Sequence, residues 1–374
     1  MFLALKELKH GKLRFLMIGL IFVLISWLVF LLSGLGTGLN TLSAASFKNI
    51  DANYVAFEKG ARASMSRSII SEDAMDQIKE QKNVNKVAPL GAVSVTIMKD
   101  KKHINDDDKY DVTVLGAEPN SFLIPKVTEG KTISASRPND VIVNDSLKDK
   151  GFKIGDTVKV ESSDEKMKIV GFMHNETYNH VATVYAPVDK FRSMRFAAPK
   201  SDDGVKNPVN AIMIQGDDLN AKQIEKNIPG LEVVTKDTAI QGMPGHKEEN
   251  GTITMMLVFL LAISAVVIAV FFYVLTLQKS NQFGIMKAIG ASNGFLGRTI
   301  VSQVFILSLS SILVGALLAY LVAVILPEGT PFSLDPKLVL IYGIVLLIVS
   351  VLSSILSVRK ITKIDPLQAI GRVE

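Results

Sequence analysis

The sequence has no cysteine and only one tryptophan. The absence of cysteine excludes a disulfide framework, a thiolate metal site and a cysteine nucleophile. Charged side chains are absent from four long apolar runs, at residues 15–39, 250–278, 299–327 and 338–358. Since a helix needs about 20 apolar residues to cross the hydrocarbon core of a bilayer, each run predicts a membrane span. A long polar stretch, residues 40–249, separates the first span from the other three.

The predicted spans also lack histidine, so they contain no ionisable Asp, Glu, Lys, Arg or His. Proton relays and ion-coupled carriers place such groups inside the membrane. Their absence argues against an ion-coupled secondary transporter and against a polar conduit through the helices. The chain also lacks the Walker A and HExxH patterns, which argues against P-loop ATP binding and against a metalloprotease of the HExxH type.

Basic residues are concentrated beside the apolar runs. Residues 1–14, 279–298 and 359–374 together carry eleven Lys and Arg against three Asp and Glu, whereas the remainder carries 30 against 33. Basic flanks mark the cytoplasmic side of a membrane, so both termini and the 279–298 loop are predicted to be cytoplasmic and the long polar stretch to lie outside. The formal net charge of +5 therefore reflects topology and gives no indication of nucleic-acid binding.

The polar stretch mixes strand and helix patterns. Residues 84–98 are rich in Val, Ile and Thr and predict strands, short glycine-punctuated strands follow at about 111–190, and an α/β pattern returns at 211–235. The predicted fold class is a membrane protein with four transmembrane α-helices in a 1+3 arrangement and a large extracytoplasmic α/β domain with an inserted β-rich subdomain. The predicted bounds are 1–14 for a cytoplasmic amphipathic helix, 15–39, 250–278, 299–327 and 338–358 for the spans, 40–249 for the outer domain, 279–298 for a cytoplasmic loop and 359–374 for a cytoplasmic tail.

Small residues recur at four-residue spacing in the spans, as Gly34 and Gly38 do in the first. A small-xxx-small face lets two helices approach closely in lipid. These glycines are therefore predicted to lie at a helix interface, which is either a dimer or bundle interface or an ordinary contact within the chain.

The cytoplasmic loop holds apolar residues that need a partner surface. Two helical turns can form here, and Ile285 and Ile289 then share one face while Phe283 and Met286 share another. Gly290 is well placed to end this helix. The apolar residues would contact either a protein on the cytoplasmic side or the lipid interface.

At this loop the sequence QFGIMKAIGAS, residues 282–292, resembles the signature that follows the second span in FtsX/MacB-type permeases of ABC transporters. The sequence KIDPLQAI near the C-terminus is similar to the closing motif of the same family. In that motif Asp365 can cap a helix whose first residue is Pro366. The 1+3 arrangement with an outer domain after the first span also agrees with the family.

The resemblance implies a non-enzymatic permease that forms a homodimer in the bacterial plasma membrane and pairs with two copies of a separate ATP-binding subunit. No intrinsic cofactor is implied, and ATP acts through that partner. Family members transmit the stroke of the ATPase to their outer domains, a mechanism called mechanotransmission. The ATPase-coupling positions carried over are Phe283, Gly284, Ile285, Met286, Lys287 and Gly290.

Within the family, the opening ALKELKHGKLRF is similar to the HrtB/DevC haem-efflux permeases, which implies haem or another amphipathic compound as the substrate. Haem takes His, Met or Tyr as axial ligands. Candidate ligands are Met243 and His246 before the second span, and His174, Tyr178 and His180 in a second segment. If that segment is extended, these three residues and Glu176 project to one face. That segment is also compatible with Zn²⁺ or with a plain polar surface turn.

Two other functions within the family remain open from the sequence. One is the efflux of an antimicrobial peptide or antibiotic, and the other is FtsX-like regulation of a cell-wall hydrolase by the outer domain. An enzyme in the outer domain is the least favoured function, because residues 40–249 contain no catalytic motif.

Overall fold

The computed structural model describes residues 12–100, 106–161, 163–278, 280–327 and 330–361. Residues 1–11 of the predicted amphipathic helix and residues 362–374 of the predicted tail lie outside this range. The chain divides into two compact units, a helical unit of Met1–Gly38 with Gly251–Glu374 and an outer unit of Leu39–Asn250.

The helices, in chain order, are α1 (Lys12–Asn49), α2 (Ala74–Lys79), α3 (Ser146–Asp149), α4 (Val188–Arg195), α5 (Ala221–Asn227), α6 (Lys236–Gln241), α7 (His246–Gln278), α8 (Ser280–Ala288), α9 (Asn293–Ile325) and α10 (Pro336–Ile361). The strands are β1 (Tyr54–Glu58), β2 (Ile70–Ser71), β3 (Val84–Lys99), β4 (Lys109–Ala117), β5 (Val127–Gly130), β6 (Asp140–Asn144), β7 (Thr157–Val160), β8 (Lys166–Met173), β9 (Thr177–Tyr178), β10 (Val181–Pro187), β11 (Pro208–Val209), β12 (Ala211–Gly216) and β13 (Leu231–Thr235). Short 3₁₀ turns occupy Met65–Arg67 and Asp106–Asp108.

Within the described residues, four helices are long and apolar enough to cross a membrane, namely α1, α7, α9 and α10. Helix α1 continues about ten residues beyond the charge-free run and contains one residue, Ala44, with non-helical backbone angles. Many large apolar side chains on these helices are exposed, for example Leu16, Val266 and Leu317. An apolar outer surface of this kind is what lipid contact requires.

Helices α1 and α9 are joined by reciprocal polar contacts as well as by apolar packing. Ser26 Oγ donates a hydrogen bond to the main-chain oxygen of Ser311 at 3.3 Å, and Ser311 Oγ donates to the main-chain oxygen of Gly19 at 3.2 Å. A Cβ on Gly315 would lie 2.2 Å from Ser26 Oγ, so glycine is required at this crossing. The small residues of the spans therefore serve close packing within the chain here.

Gly34 and Gly38 of α1 form a second close contact, with the segment that precedes α10. An ideal Cβ on Gly34 would lie 2.6 Å from the Phe332 ring, and one on Gly38 would lie 2.3 Å from the main-chain nitrogen of Phe332. The main-chain nitrogen of Ser333 donates a hydrogen bond to the Gly34 oxygen at 3.0 Å. This glycine face is thus covered by the same chain.

In the described part of the outer unit, eleven strands form one mixed sheet. Its order is β13-β1-β12-β3-β4-β10-β6-β8-β5, with β7 paired to both β3 and β8 and β9 paired to β10. Because β7 joins β8 back to β3, the strands β3, β4, β10, β6, β8 and β7 close into a small barrel. The barrel corresponds to the β-rich part expected from the sequence, and β3 is shared between the barrel and the open sheet.

Alternating apolar residues fill the interior of the barrel, and the open sheet has cores of its own. Barrel residues such as Val114, Val143 and Ile169 are fully buried. On one face of the sheet, Phe191 of α4 lies directly over Gly91 and Gly116, which are register partners on β3 and β4. A Cβ on either glycine would lie 2.2–2.3 Å from Phe191, so the two glycines form the seat of this ring.

Candidate coupling helix and ligand sites

The short helix α8 lies between the long helices α7 and α9, and its C-terminal end is defined by glycine. Gly290 has φ +100°, a conformation that glycine adopts without strain. Its nitrogen donates to Lys287 O at 2.9 Å, and the Ala291 nitrogen donates to Met286 O at 2.9 Å. These two bonds are those of a Schellman motif. Ser292 then caps α9 by accepting a hydrogen bond from the Phe295 nitrogen at 3.3 Å.

The residues around α8 divide into an inward and an outward group. Gly284 is buried, and Met286 packs against a buried cluster that includes Phe272 of α7. Ile285 and Ile289 are 55% and 80% exposed and lie four residues apart, on one face of the turn. The side chain of Phe283 lies outside the described part of the structure. The predicted coupling segment therefore presents an isoleucine pair as its exposed apolar surface.

Met243 and His246, the first pair of candidate haem ligands, are buried at 5% and 3% exposure. The Ser43 hydroxyl lies 2.8 Å from Nδ1 of His246, and the Asn250 amide lies 2.9 Å from Nε2. Asn40 completes the cluster by donating from Nδ2 to Asn250 Oδ1 at 2.8 Å. Both ring nitrogens have protein partners, so an iron atom that reaches either one must displace a hydrogen bond.

The second candidate segment, residues 174–180, is not a continuous extended strand. Asn175, Asn179 and His180 have φ values of +55°, +51° and +66°, and only β9, Thr177–Tyr178, is extended between them. Left-handed backbone at these positions turns the chain twice. The condition for these side chains to project to one face, an extended segment, is therefore not met.

The three candidate ligands of this segment have different surroundings. Nδ1 of His174, an exposed residue, lies 2.6 Å from an Asp145 carboxylate oxygen. His180 contacts Glu249 through Nε2 at 3.1 Å. Tyr178 is 7% exposed, and its burial raises the pKa of its hydroxyl. Among the described residues, no group of three or more His, Cys, Asp or Glu side chains is arranged to hold a metal ion.

Together these features define the class of the protein. It is a membrane protein of the permease type, in which a mixed-sheet and barrel unit is inserted between the first and second long apolar helices and a short helix with an exposed isoleucine pair follows the second. Residues 16–231 match the family of the MacB-like periplasmic core domain, and residues 254–366 match the FtsX-like permease C-terminal family. Since the first match covers more than half of the chain, the chain belongs to the permease family that combines these two domains. The predicted family and fold class are thereby confirmed.

Known relatives match along nearly the whole chain. The putative hemin transport system permease protein HrtB of Staphylococcus epidermidis is 28% identical over an alignment of 380 residues, covering 99% of this chain and 99% of that protein. The protein of the same name from Staphylococcus haemolyticus is 29% identical over 376 residues, covering 100% and 99%. An uncharacterized ABC transporter permease of Mycobacterium tuberculosis is 23% identical over 375 residues, covering 99% of each chain.

Two solved structures match about half of the chain. The periplasmic region of MacB from Actinobacillus actinomycetemcomitans is 16% identical with a TM-score of 0.37, covering 52% of this chain and 94% of that one. The extracellular domain of the noncanonic ABC-type transporter YknZ from Gram-positive bacteria is 14% identical with a TM-score of 0.35, covering 49% and 99%.

Sequence reasoning missed two features of these sites. The partners of His246 come from Asn40 and Ser43, about 200 residues earlier in the chain, and no local pattern signals them. The turns around β9 did leave a signal, because Asn175 and Asn179 are residues that tolerate left-handed backbone and favour turns.

Proposed function

We propose that this chain is the permease subunit of an ABC-type exporter, in which a permease homodimer is driven by a separate ATP-binding subunit and extrudes haem or a similar amphipathic compound from a bacterial plasma membrane. Family membership supports the permease role. The lack of a Walker A sequence supports ATP hydrolysis on another subunit. The charge-free spans support an energy source outside them.

The observation that carries the proposal is the exposed pair Ile285 and Ile289 on the short segment between α7 and α9. A helix that connects two membrane spans and turns branched apolar side chains outward is suited to insertion into a groove of a partner protein. Met286, on the inward side, connects the same helix to the buried cluster at Phe272. Movement of the docked isoleucines would therefore be passed to the packed helices through Met286.

Single substitutions test the coupling surface. Ile289→Glu and Ile285→Glu place a charge in the proposed contact and are expected to weaken co-purification with the ATPase subunit about tenfold or more, as for the central residues of an interface. Ile325→Glu is the matched control, because Ile325 is 79% exposed and lies at the far end of α9. Full retention of the ATPase by both loop variants would contradict the proposal, and equal loss in the control would show a general defect of insertion.

The haem part of the proposal rests on the hemin transport names of the relatives and on candidate ligands in the outer unit. His174 is the best placed of them, because it is exposed and the Asp145 carboxylate occupies Nδ1, which leaves Nε2 for an axial bond. His246 and Tyr178 are more deeply buried. Axial ligation by His174 through Nε2 is compatible with its contact to Asp145. Axial ligation by His246 would require the loss of one of its two hydrogen bonds.

Absorption spectroscopy of the full chain in detergent tests haem binding directly. Haem addition is expected to give a Soret band that shifts in His174→Gln, with His246→Gln and Tyr178→Phe as the comparisons. A deletion strain is expected to become more sensitive to haem. Unchanged haem sensitivity together with a new sensitivity to peptide antibiotics would reassign the substrate, and loss of cell-wall hydrolase activity without any toxicity phenotype would favour the regulatory role.

A further inference from the structure

A cavity of about 330 Å³ lies in the outer unit, between the end of α1, the loop that leads into β5 and the segment after β8. Much of its wall is apolar and is formed by Phe122, Leu123, Ile124 and Pro125. Leu123 is almost completely buried and belongs to the main core cluster of the unit. This wall is therefore part of the packed core, which gives the cavity a fixed shape.

A buried carboxyl group also lines the cavity. Glu176 is 3% exposed, and its Oε1 accepts a hydrogen bond from Asn49 Nδ2 at 2.9 Å. Its Oε2 is buried and has no hydrogen-bond partner among the described residues. Buried polar atoms in folded proteins are almost always paired, and an unpaired carboxylate oxygen is costly. The carboxyl group of Glu176 is therefore a buried polar group with incomplete pairing in the cavity wall.

Hydrogen bonds to its main-chain oxygen hold the backbone of Glu176 in place. The main-chain oxygen of Glu176 accepts hydrogen bonds from the Thr183 hydroxyl at 2.9 Å, from the Thr183 nitrogen at 3.1 Å and from the Asn144 amide. Burial raises the pKa of the Glu176 side chain, and the neighbouring Asn49 and Ser46 side chains oppose that rise. A cationic donor near Oε2 would favour the ionised form and remove the cost of burying it.

We propose that this cavity binds a small amphipathic molecule with a primary ammonium group, which donates a hydrogen bond to the carboxyl group of Glu176 while its apolar body packs against Phe122–Pro125. Lys126 and His174 also line the cavity and are exposed to solvent. The end of the ligand that faces them is therefore neutral or anionic. The inference is separate from the transport proposed above, because binding is measured on the permease alone without ATPase or haem.

Calorimetric titration of the full chain in lipid nanodiscs tests the proposal, with empty nanodiscs subtracted. The probes are phenethylamine, its neutral analogue 2-phenylethanol and the anion 3-phenylpropionate. The amine is expected to bind about tenfold or more tightly than the alcohol, as for one charge-assisted hydrogen bond. Equal affinity of amine and alcohol, or tightest binding of the anion, would overturn the proposal.

Two variants and a control locate the binding. Glu176→Gln keeps an oxygen for the Asn49 contact and is expected to abolish the preference for the amine. Glu118→Gln is the matched control, because burial also raises the pKa of Glu118 but this residue does not line the cavity. Ile124→Trp fills the cavity from a partly exposed position and is expected to weaken all three probes. A preference for the amine that survives in Glu176→Gln, or unchanged binding in Ile124→Trp, would refute the site.

Discussion

Substitution of Gly38 by alanine is a decisive test of how the first long helix packs. A Cβ at this position would lie 2.3 Å from the Phe332 nitrogen and from the Pro331 carbonyl carbon. These are main-chain atoms, which cannot rotate aside as the end of a side chain can. On the same helix, a Cβ on Gly19 would lie 3.3 Å from Cδ1 of Leu307, the far end of a flexible side chain that can move aside. Gly19→Ala is therefore the matched control.

The expected magnitude follows from the contacts. Forcing extra volume into a packed site costs about 1–3 kcal/mol. Displacement of the 331–333 segment also threatens the hydrogen bond from the Ser333 nitrogen to Gly34 O, which contributes about 1 kcal/mol. The gain in helix propensity from glycine to alanine offsets about 1 kcal/mol. Gly38→Ala should therefore destabilise the helical unit by about 1–3 kcal/mol, and Gly19→Ala by less than about 1 kcal/mol.

The only tryptophan of the chain provides the assay. Trp27 lies in α1 and packs with Leu334 against the buried cluster around Phe30, so its fluorescence reports the packing of the helical unit. Unfolding of the full chain is followed through this emission during titration of mild detergent micelles with sodium dodecyl sulfate. The mass of the native particle is measured in parallel.

One result would refute this reasoning. If Gly38→Ala leaves the unfolding transition unchanged but converts a dimer into a monomer, the glycine face contacts a second chain and not the 331–333 segment. Equal destabilisation by Gly19→Ala and Gly38→Ala would show that the main-chain contact is not the deciding one.

Three further predictions concern the outer unit and the coupling segment. Gly91→Ala should lower the free energy of unfolding by about 1–3 kcal/mol in chemical denaturation. Adding Phe191→Leu to the same chain should recover part of that loss, because it removes ring atoms that lie 2.2 Å from the new Cβ. If the effects of the two substitutions on the free energy of unfolding simply add, the contact is contradicted. Because burial raises the pKa of Glu176 above its usual value of 4.5, folding takes up a proton and the stability of the wild type falls as pH rises above that value. The unfolding temperature of Glu176→Gln should therefore increase relative to that of the wild type as pH rises. A difference in unfolding temperature that does not change with pH would refute this. Gly290→Ala should lower ATPase coupling, because alanine is strained at φ +100° although nothing lies within 4 Å of its Cβ. Gly294→Ala should have no such effect, because Gly294 is helical and its Cβ would also meet nothing within 4 Å. Equal effects of the two substitutions would exclude the backbone explanation.

The helices of the membrane unit were predictable because a bilayer imposes a length and a lack of charge that local sequence reveals directly. Even so, α1 continues to Asn49, beyond the apolar run, since residues outside the hydrocarbon core can remain helical with polar side chains. Gly290 and Ser292 were also predictable, because helix ends depend on local backbone chemistry.

Closure of the barrel could not be predicted from local patterns. It depends on the pairing of β7 with the far end of β3, which is a contact between segments about sixty residues apart. The 16-residue strand β3 gives no local sign of where the open sheet ends and the barrel begins. The unpaired oxygen of Glu176 likewise follows from burial by distant residues such as Asn49, and strand alternation alone does not reveal it.

The hydrogen bond between Asn40 and Asn250 joins the first and last turns of the outer unit, Leu39–Asn250. An inserted domain whose ends adjoin can be replaced by one of another size or fold without altering where the chain leaves and re-enters the helical part. Evolution can therefore exchange what such a permease presents to its surroundings while keeping its helical part, and the same junction marks the place where a biosensor domain could be grafted.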